Sequence, residues 1–168
     1  GMGRADSLRF RYVRLDPDEK TIGSEEPMLL SAFNLHTKAR GFYRDRVEGD
    51  EKPVQLTMMD RAFSDLQKAK DADVLLFRRS SFSVYPDLWV SDPDFKAMRR
   101  VSEANPQQSD YLWGEAELVA WTSLDGTPLK GLLFTPEDFD SGRKYSMIVY
   151  FYERMSEYLH RYWTPAPS

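Results

Sequence analysis

The chain contains no cysteine, which excludes a disulfide framework and any thiolate metal site. It has two histidines, His36 and His160, and no His or carboxylate spacing that resembles a zinc or calcium site. No metal and no cofactor is therefore expected. No apolar run approaches the ~20 residues that a membrane-crossing helix needs, and no charged-then-apolar leader opens the sequence, so no membrane partner is expected. Lysine and arginine number 23 against 27 aspartates and glutamates, a net charge of −4, and the basic residues are interspersed with acidic ones. Binding a phosphate backbone requires a basic stripe, so nucleic acid is not an expected partner. A glycine-rich phosphate loop is missing too, since Gly1 and Gly3 have no strand before them and no helix after.

What the sequence has instead is aromatic side chains and closely spaced turn formers. Phenylalanine, tyrosine and tryptophan make up 14% of its 168 residues, alongside 10 prolines and 9 glycines. A chain of this length can bury one ordinary core, and aromatic enrichment in short segments favours sheets over helices. Residues 8–15 alternate apolar and basic side chains, Leu8, Phe10 and Tyr12 against Arg9 and Arg11, the period of a half-buried strand. Asp16-Pro17-Asp18 breaks that run. Further strands are predicted over 28–34, 41–44 and 54–58, with a Thr-Lys-Ala-Arg turn between the first two. The pattern repeats in kind over 63–69, 74–79, 87–91 and 97–102, with turns at Asp71-Ala72-Asp73, Val84-Tyr85-Pro86 and Asp92-Pro93-Asp94. A short amphipathic helix over 62–72 is the alternative for the first of these, since Phe63, Leu66 and Ala69 recur every three residues. Four antiparallel strands per unit joined by tight polar turns is the pattern of a β-propeller blade, although no strict period in residue identity accompanies it.

Polar, strand-breaking sequence follows at 105–110, which suits a linker. Beyond it, predicted strands at 117–123 and 129–134 flank Asp125-Gly126, a hairpin signal because both residues tolerate positive φ. After a polar loop over 135–144 comes a compact apolar strand, Met147-Ile148-Val149-Tyr150-Phe151-Tyr152. The run from Asn105 onward resembles the start of the α/β-hydrolase domain of the prolyl oligopeptidase family, in the branch of dipeptidyl peptidase IV and its bacterial relatives. Tyr85-Pro86-Asp87-Leu88-Trp89 is similar to a strand of that family's last propeller blades, and residues 102–108 to its connector of the type Ser-x-x-Asn-Pro-Gln. The resemblance implies a mainly β chain. Antiparallel blades of an incomplete β-propeller would occupy 4–104 and a linker 105–115. The opening hairpin and strand of an α/β-hydrolase domain would occupy 116–168. It also implies a serine peptidase acting on short peptides, as a dipeptidyl aminopeptidase would, and export to the periplasm for the whole protein.

The machinery for that reaction is missing from the sequence. Hydrolysis on this fold needs a serine on a Gly-x-Ser-x-Gly elbow, then an acid, then a histidine, and none of the 9 glycines heads such a motif. His36 falls in a predicted loop and reads as a solvated side chain. His160 follows the last predicted strand too closely to match the family's histidine, which comes after the nucleophile. No triad can be assembled, so the chain by itself is expected to be silent, with a peptide substrate only in a longer protein. The resemblance carries over one catalytic element. Tyr152, at the end of its strand, matches the tyrosine whose hydroxyl helps to bind the oxyanion, and such donors are worth about 2.7–4 kcal/mol in other hydrolases. The residues after it, Glu153-Arg154-Met155-Ser156, depart from the small ones usual there. The plainer reading of Tyr152 is a boundary aromatic with a bonded hydroxyl.

Two charged groups carry no chemistry on this reading. Glu25-Glu26 precedes Pro27 in a turn and reads as solvated, not as the paired glutamates with which dipeptidyl peptidases hold a substrate amino terminus. Lys38, Arg40, Arg44 and Arg46 against Asp45, Glu48, Asp50 and Glu51 read as a solvated hairpin end. An alternative from another class is a free-standing β-rich protein-binding module derived from such a peptidase. Residues 163–168 read as a chain cut between a strand and the next helix, which favours the peptidase segment. Under either reading, unpaired sheet edges predict self-association.

Overall fold

Each described strand of this protein pairs with a strand next to it in sequence. The computed structural model describes residues 6–18, 20–48 and 50–150. These fall in two units, Gly1–Asp138 and Phe139–Ser168. The described residues are mainly β, in antiparallel sheets of which none is closed. The first sheet runs β1 (Leu8–Tyr12), β2 (Met28–Asn34), β3 (Arg40–Asp45) and β4 (Val54–Met59) in sequence order. The second repeats the arrangement with β5 (Ala62–Lys68), β6 (Leu75–Ser81), β7 (Val84–Ser91) and β8 (Arg99–Arg100). A separate hairpin is made of β9 (Glu115–Thr122) and β10 (Pro128–Thr135). No helix among the described residues is long and apolar enough to cross a membrane.

Short polar side chains make the turns. Asn34 Oδ1 accepts from the backbone N–H of His36 and of Thr37, each at 2.9 Å, and Asp92 Oδ1 accepts from the N–H of Lys96 at 2.7 Å. Such side chains stand in for the missing ladder partner and fix the reversal locally. Gly41 is required by close packing, because a Cβ there would lie 1.9 Å from the Thr57 carbonyl oxygen of the neighbouring strand.

Cross-strand register explains where the core sits. Opposed residues of an antiparallel pair share a face, so the facing side of the first sheet carries three rows: Arg9, Phe33 and Arg40; then Arg11, Ser31 and Phe42; then Leu29 with Arg44. Leu29 and Phe42 pack with Leu75 and Phe77 of the second sheet and with Phe95, and these five are all buried. The rings interlock: Phe42 stacks on Phe95 at 4.5 Å and meets Phe63 edge-on at 5.2 Å, while Phe63 and Phe95 lean on Phe77 at 5.6 and 5.8 Å. Offset and edge-on aromatic pairs add about 0.5–1.5 kcal/mol each beyond the area they bury. The opposite side of the first sheet holds a second cluster of Leu30, Ala32 and Tyr43, flanked by Leu8, Phe10, Met28 and Met58.

The structure corrects several sequence expectations. Residues 62–68 form the strand expected over 63–69, and the alternative helix is excluded; Phe63 contributes to the aromatic core, and a bulge between Ser64 and Gln67 puts Asp65 at φ 53°. Val84-Tyr85-Pro86 is not a turn, for β7 begins at Val84. The register between β6 and β7 shifts at this point, opposing Tyr85 and Pro86 to Ser80, and a bulge is where a strand tolerates a residue without an N–H. The eighth strand is two residues long, shorter than the expected 97–102. Met147 to Tyr150, read as strand, shows none, because an apolar run becomes a strand only when another pairs with it, and among the described residues none does. In that same unit Asp140 makes a turn, accepting from the Gly142 N–H at 2.9 Å, and Phe139 packs on Tyr145 at 5.2 Å.

The hairpin forms at Asp125-Gly126 as read, with a difference in its loop. Thr122 opposes Pro128, Gly126 N–H bonds the Ser123 carbonyl at 3.0 Å and Ser123 N–H bonds the Thr127 carbonyl at 2.9 Å. Gly126 alone takes positive φ, at 83°. This is the longer loop in which a turn is followed by a left-handed glycine, not a two-residue turn needing both.

Candidate functional site

The residues singled out for chemistry do not come together. Tyr152, the oxyanion candidate, lies outside the described residues, and so does His160. His36 sits in the β2–β3 turn, where its carbonyl accepts from Lys130 Nζ at 3.2 Å. Glu25 and Glu26 are exposed in a turn. Among the described residues, no group of three or more His, Cys, Asp or Glu could hold a metal ion.

Asp87 is the buried carboxylate among the described residues. It belongs to β7, is 5% exposed, and faces the exit of the second sheet. Its Oδ1 accepts from Ser102 Oγ at 2.7 Å and from the Ala104 N–H at 2.9 Å, while Arg100 approaches Oδ2 at 3.6 Å. Ser102 Oγ in turn accepts from the Leu88 N–H at 2.9 Å. The bond from Ser102 and then that from Ala104 hold the carboxyl below its ordinary range, with a smaller contribution from Arg100, against the opposing effect of burial. The clasp continues through the linker. A single 3₁₀ turn, Pro106–Asp110, puts Gln108 where its amide donates to the Ser83 carbonyl at 2.8 Å, and the Gln108 carbonyl accepts from the Trp113 indole at 2.9 Å. Trp113 and Phe134 of β10 both pack on Phe82, at 6.1 and 5.0 Å. Polar bonds and one aromatic trio thus fasten the hairpin to the second sheet.

The seam between the two large sheets has two unlike ends. At one end Arg44 of β3 pairs with Asp94 Oδ1 at 2.5 Å and donates to the Pro93 carbonyl at 3.1 Å, and Lys96 lies 3.1 Å from the other Asp94 oxygen. Arg44 and then Lys96 hold the Asp94 carboxyl below its ordinary range. At the other end the facing rows expose three guanidinium groups. Arg9, Arg11 and Arg40 line a cleft of about 300 Å³ together with Val13, Ser31, Phe33, Phe42, Phe63 and Leu66. Arg9 and Arg40 flank the Phe33 ring from both neighbouring strands, at 5.2 and 5.3 Å from its centroid, and Lys38 Nζ reaches it at 5.9 Å. The carboxylate in this cleft, Asp65, is 3.5 Å from Arg78. Among the described residues, none of Arg9, Arg11 and Arg40 forms an ion pair or a side-chain hydrogen bond. Cations crowded on one face without counter-charge repel each other, so this arrangement is electrostatically unanswered.

Alternation in the sequence puts Arg9 and Arg11 on one side of a strand. Their alternation with Leu8, Phe10 and Tyr12 marks a half-buried strand and does not tell which side meets another sheet. The pairing with β2 and β3 turns that side toward the second sheet and adds Arg40 to it. Arg40 and Arg44 had been read as one solvated hairpin end, and they sit at opposite ends of the seam.

No protein-family model matches this sequence, and no curated protein does. Among solved structures, the chain is similar to a substituted variant of the AtxE2 isopeptidase with astexin3-dC4 bound, at 16% identity and a TM-score of 0.49. The likeness covers 83% of this chain and 26% of that one, so the chain spans about a quarter of the length of the isopeptidase it matches.

Proposed function

We propose that this chain is the segment of a serine exopeptidase of the prolyl oligopeptidase type that joins the last blades of a β-propeller to the start of an α/β-hydrolase domain. One observation carries the reading. The two motifs that resemble the family, Tyr85-Pro86-Asp87-Leu88-Trp89 and the Ser102 to Gln108 connector, are bonded to one another through Asp87, Ser102 and Ala104. A motif pair that resembles a blade strand and a connector is expected to meet in this way, since the clasp fixes where the chain leaves the second sheet. The order of elements agrees: two four-stranded antiparallel sheets, a short polar connector, then a hairpin. The nucleophile, acid and base of the whole protein lie beyond Ser168, and its substrates are short peptides cleaved near the amino terminus. Tyr152 donates to the oxyanion there. Unpaired strand edges of the segment alone associate with a second copy.

The test is expression of the coding sequence extended past Ser168. The longer protein is expected to take a fluorophosphonate label on serine and to hydrolyse dipeptidyl 4-nitroanilides, while the 168-residue chain does neither. A longer protein that accepts no label and cleaves no peptide overturns the reading.

A further inference from the structure

We infer that the open end of the seam is a carboxylate-binding cleft, built to take a carboxylate that carries an apolar neighbour, as the carboxyl terminus of a peptide ending in an aromatic or aliphatic residue does. The inference does not rest on the peptidase reading.

The comparison within the seam argues for an anion. At the closed end the chain supplies its own carboxylate, Asp94, to Arg44. At the open end it presents Arg9, Arg11 and Arg40 on the same face, and among the described residues no carboxylate pairs with them, since Asp65 sits against Arg78. A guanidinium held over an aromatic face by cation–π attraction keeps its N–H groups available, and their fork matches a carboxylate in two parallel bonds. Arg9 and Arg40 approach Phe33 from the two neighbouring strands, which brings two such groups together at one ring. Ser31, opposite Arg11 in the register, already spends its hydroxyl on the Arg11 carbonyl at 3.3 Å, so the guanidinium groups are the cleft's main donors.

The cleft's other wall argues for an apolar neighbour. Val13, Phe33, Phe42, Phe63 and Leu66 line the same space, and its volume of about 300 Å³ suits a single residue-sized group at the lower end of ligand pockets. Inorganic phosphate would meet the arginines and leave that apolar wall bare. A free aryl carboxylate and a peptide carboxyl terminus share the recognised chemistry, and the backbone of the peptide separates them.

The test is a titration of the ¹⁵N-labelled chain at low ionic strength with N-acetyl-phenylalanine, with its carboxamide, with an acetylated tripeptide ending in phenylalanine, and with inorganic phosphate. The carboxylate is expected to shift the Nε–H signals of Arg9 and Arg40 saturably, and the carboxamide to bind at least about tenfold more weakly, since it forfeits the charge-assisted fork. Arg9→Gln and Arg40→Gln are each expected to weaken the carboxylate by a similar factor, while Arg99→Gln, on β8 and away from the cleft, leaves it unchanged. An unaltered amide spectrum outside β1 to β3 establishes that the variants fold. Tighter binding of the tripeptide than of N-acetyl-phenylalanine identifies a peptide terminus as the occupant, and equal binding identifies a free aryl carboxylate, either of which upholds the cleft. Equal binding of carboxylate and carboxamide, phosphate binding as tight as the carboxylate, indifference to both substitutions, or no saturable shift overturns it.

Discussion

The two four-stranded sheets share one layout and are held together by different means. The first has apolar clusters on both sides, Leu29 and Phe42 toward the second sheet and Leu30, Ala32 and Tyr43 away from it. The second contributes Leu75 and Phe77, both fully buried, to the shared side and carries Arg78 and Arg99 on the other. Its last strand has two residues, too few for ladder bonds to secure, and Asp87 compensates by gripping the chain at Ser102 and Ala104. A meander can therefore close its outer edge with side chains where backbone pairing runs out. Removing an apolar group from the outer cluster should harm the first sheet most, and removing the Asp87 carboxylate the second.

Phe77→Ala is expected to have the largest effect, because its ring is fully buried at the point both sheets share. A cost of about 3–5 kcal/mol is typical of such a truncation, and urea unfolding should show loss of both sheets together. In the extended protein, Tyr152→Phe is expected to lower kcat by roughly 10²–10³-fold with little change in KM; an unchanged kcat removes the tyrosine from the oxyanion site. Leu30→Ala tests the first sheet's private cluster, at about 2–3 kcal/mol, and hydrogen exchange should quicken in β1 to β3 more than in β6 and β7. Asp87→Ala is its mirror, at about 2 kcal/mol for the lost charged hydrogen bonds, with faster exchange confined to β7, β8 and the connector. If both variants loosen both sheets equally, the distinction between them fails.

Acid should sharpen the same contrast. The Asp87 carboxyl titrates lower when folded than its ordinary 3.8, so the folded state binds fewer protons than the unfolded one and the stability it adds is present in full above that ordinary value. It is lost as pH falls below it, through the folded value. Asp87→Asn is therefore expected to flatten the fall in unfolding midpoint between about pH 5 and pH 2, leaving the part due to Asp94. Arg44→Ala is expected to have the smallest effect, since its pair is more than a third exposed and salt screens it. Raising ionic strength should shrink the difference from the parent protein.

The strands were legible because Asp, Asn, Gly and Pro mark the turns between them, and the antiparallel layout followed from the shortness of those turns. What alternation could not reveal is which side of a strand meets another sheet. For β1 the apolar side, Leu8 and Phe10, faces away from the second sheet, and the arginine side faces toward it. The turn read at Val84-Tyr85-Pro86 failed for a related reason, since proline's missing N–H is harmless at a bulge that only the register shows. Asp87 stood within a quoted motif, but its partners lie 15 and 17 residues onward, beyond the reach of local pattern. The open cleft was the least visible of all, because it needs three strands in register before its arginines share a face.

The order of pairing has a consequence in time. Because β1 to β4 pair only with sequence neighbours, the first sheet needs no closure between distant parts of the chain. The tightest is the β2–β3 turn over 35–39 and the longest the β1–β2 connection over 13–27, and closures between sequence neighbours are quick. During synthesis this sheet can form as soon as residue 59 has emerged. The second sheet then closes in the same way, and the phenylalanines of the seam meet last. On this topology the docking of the two sheets, which joins residues far apart in sequence such as Arg44 and Asp94, is expected to be slower than the pairing within either one.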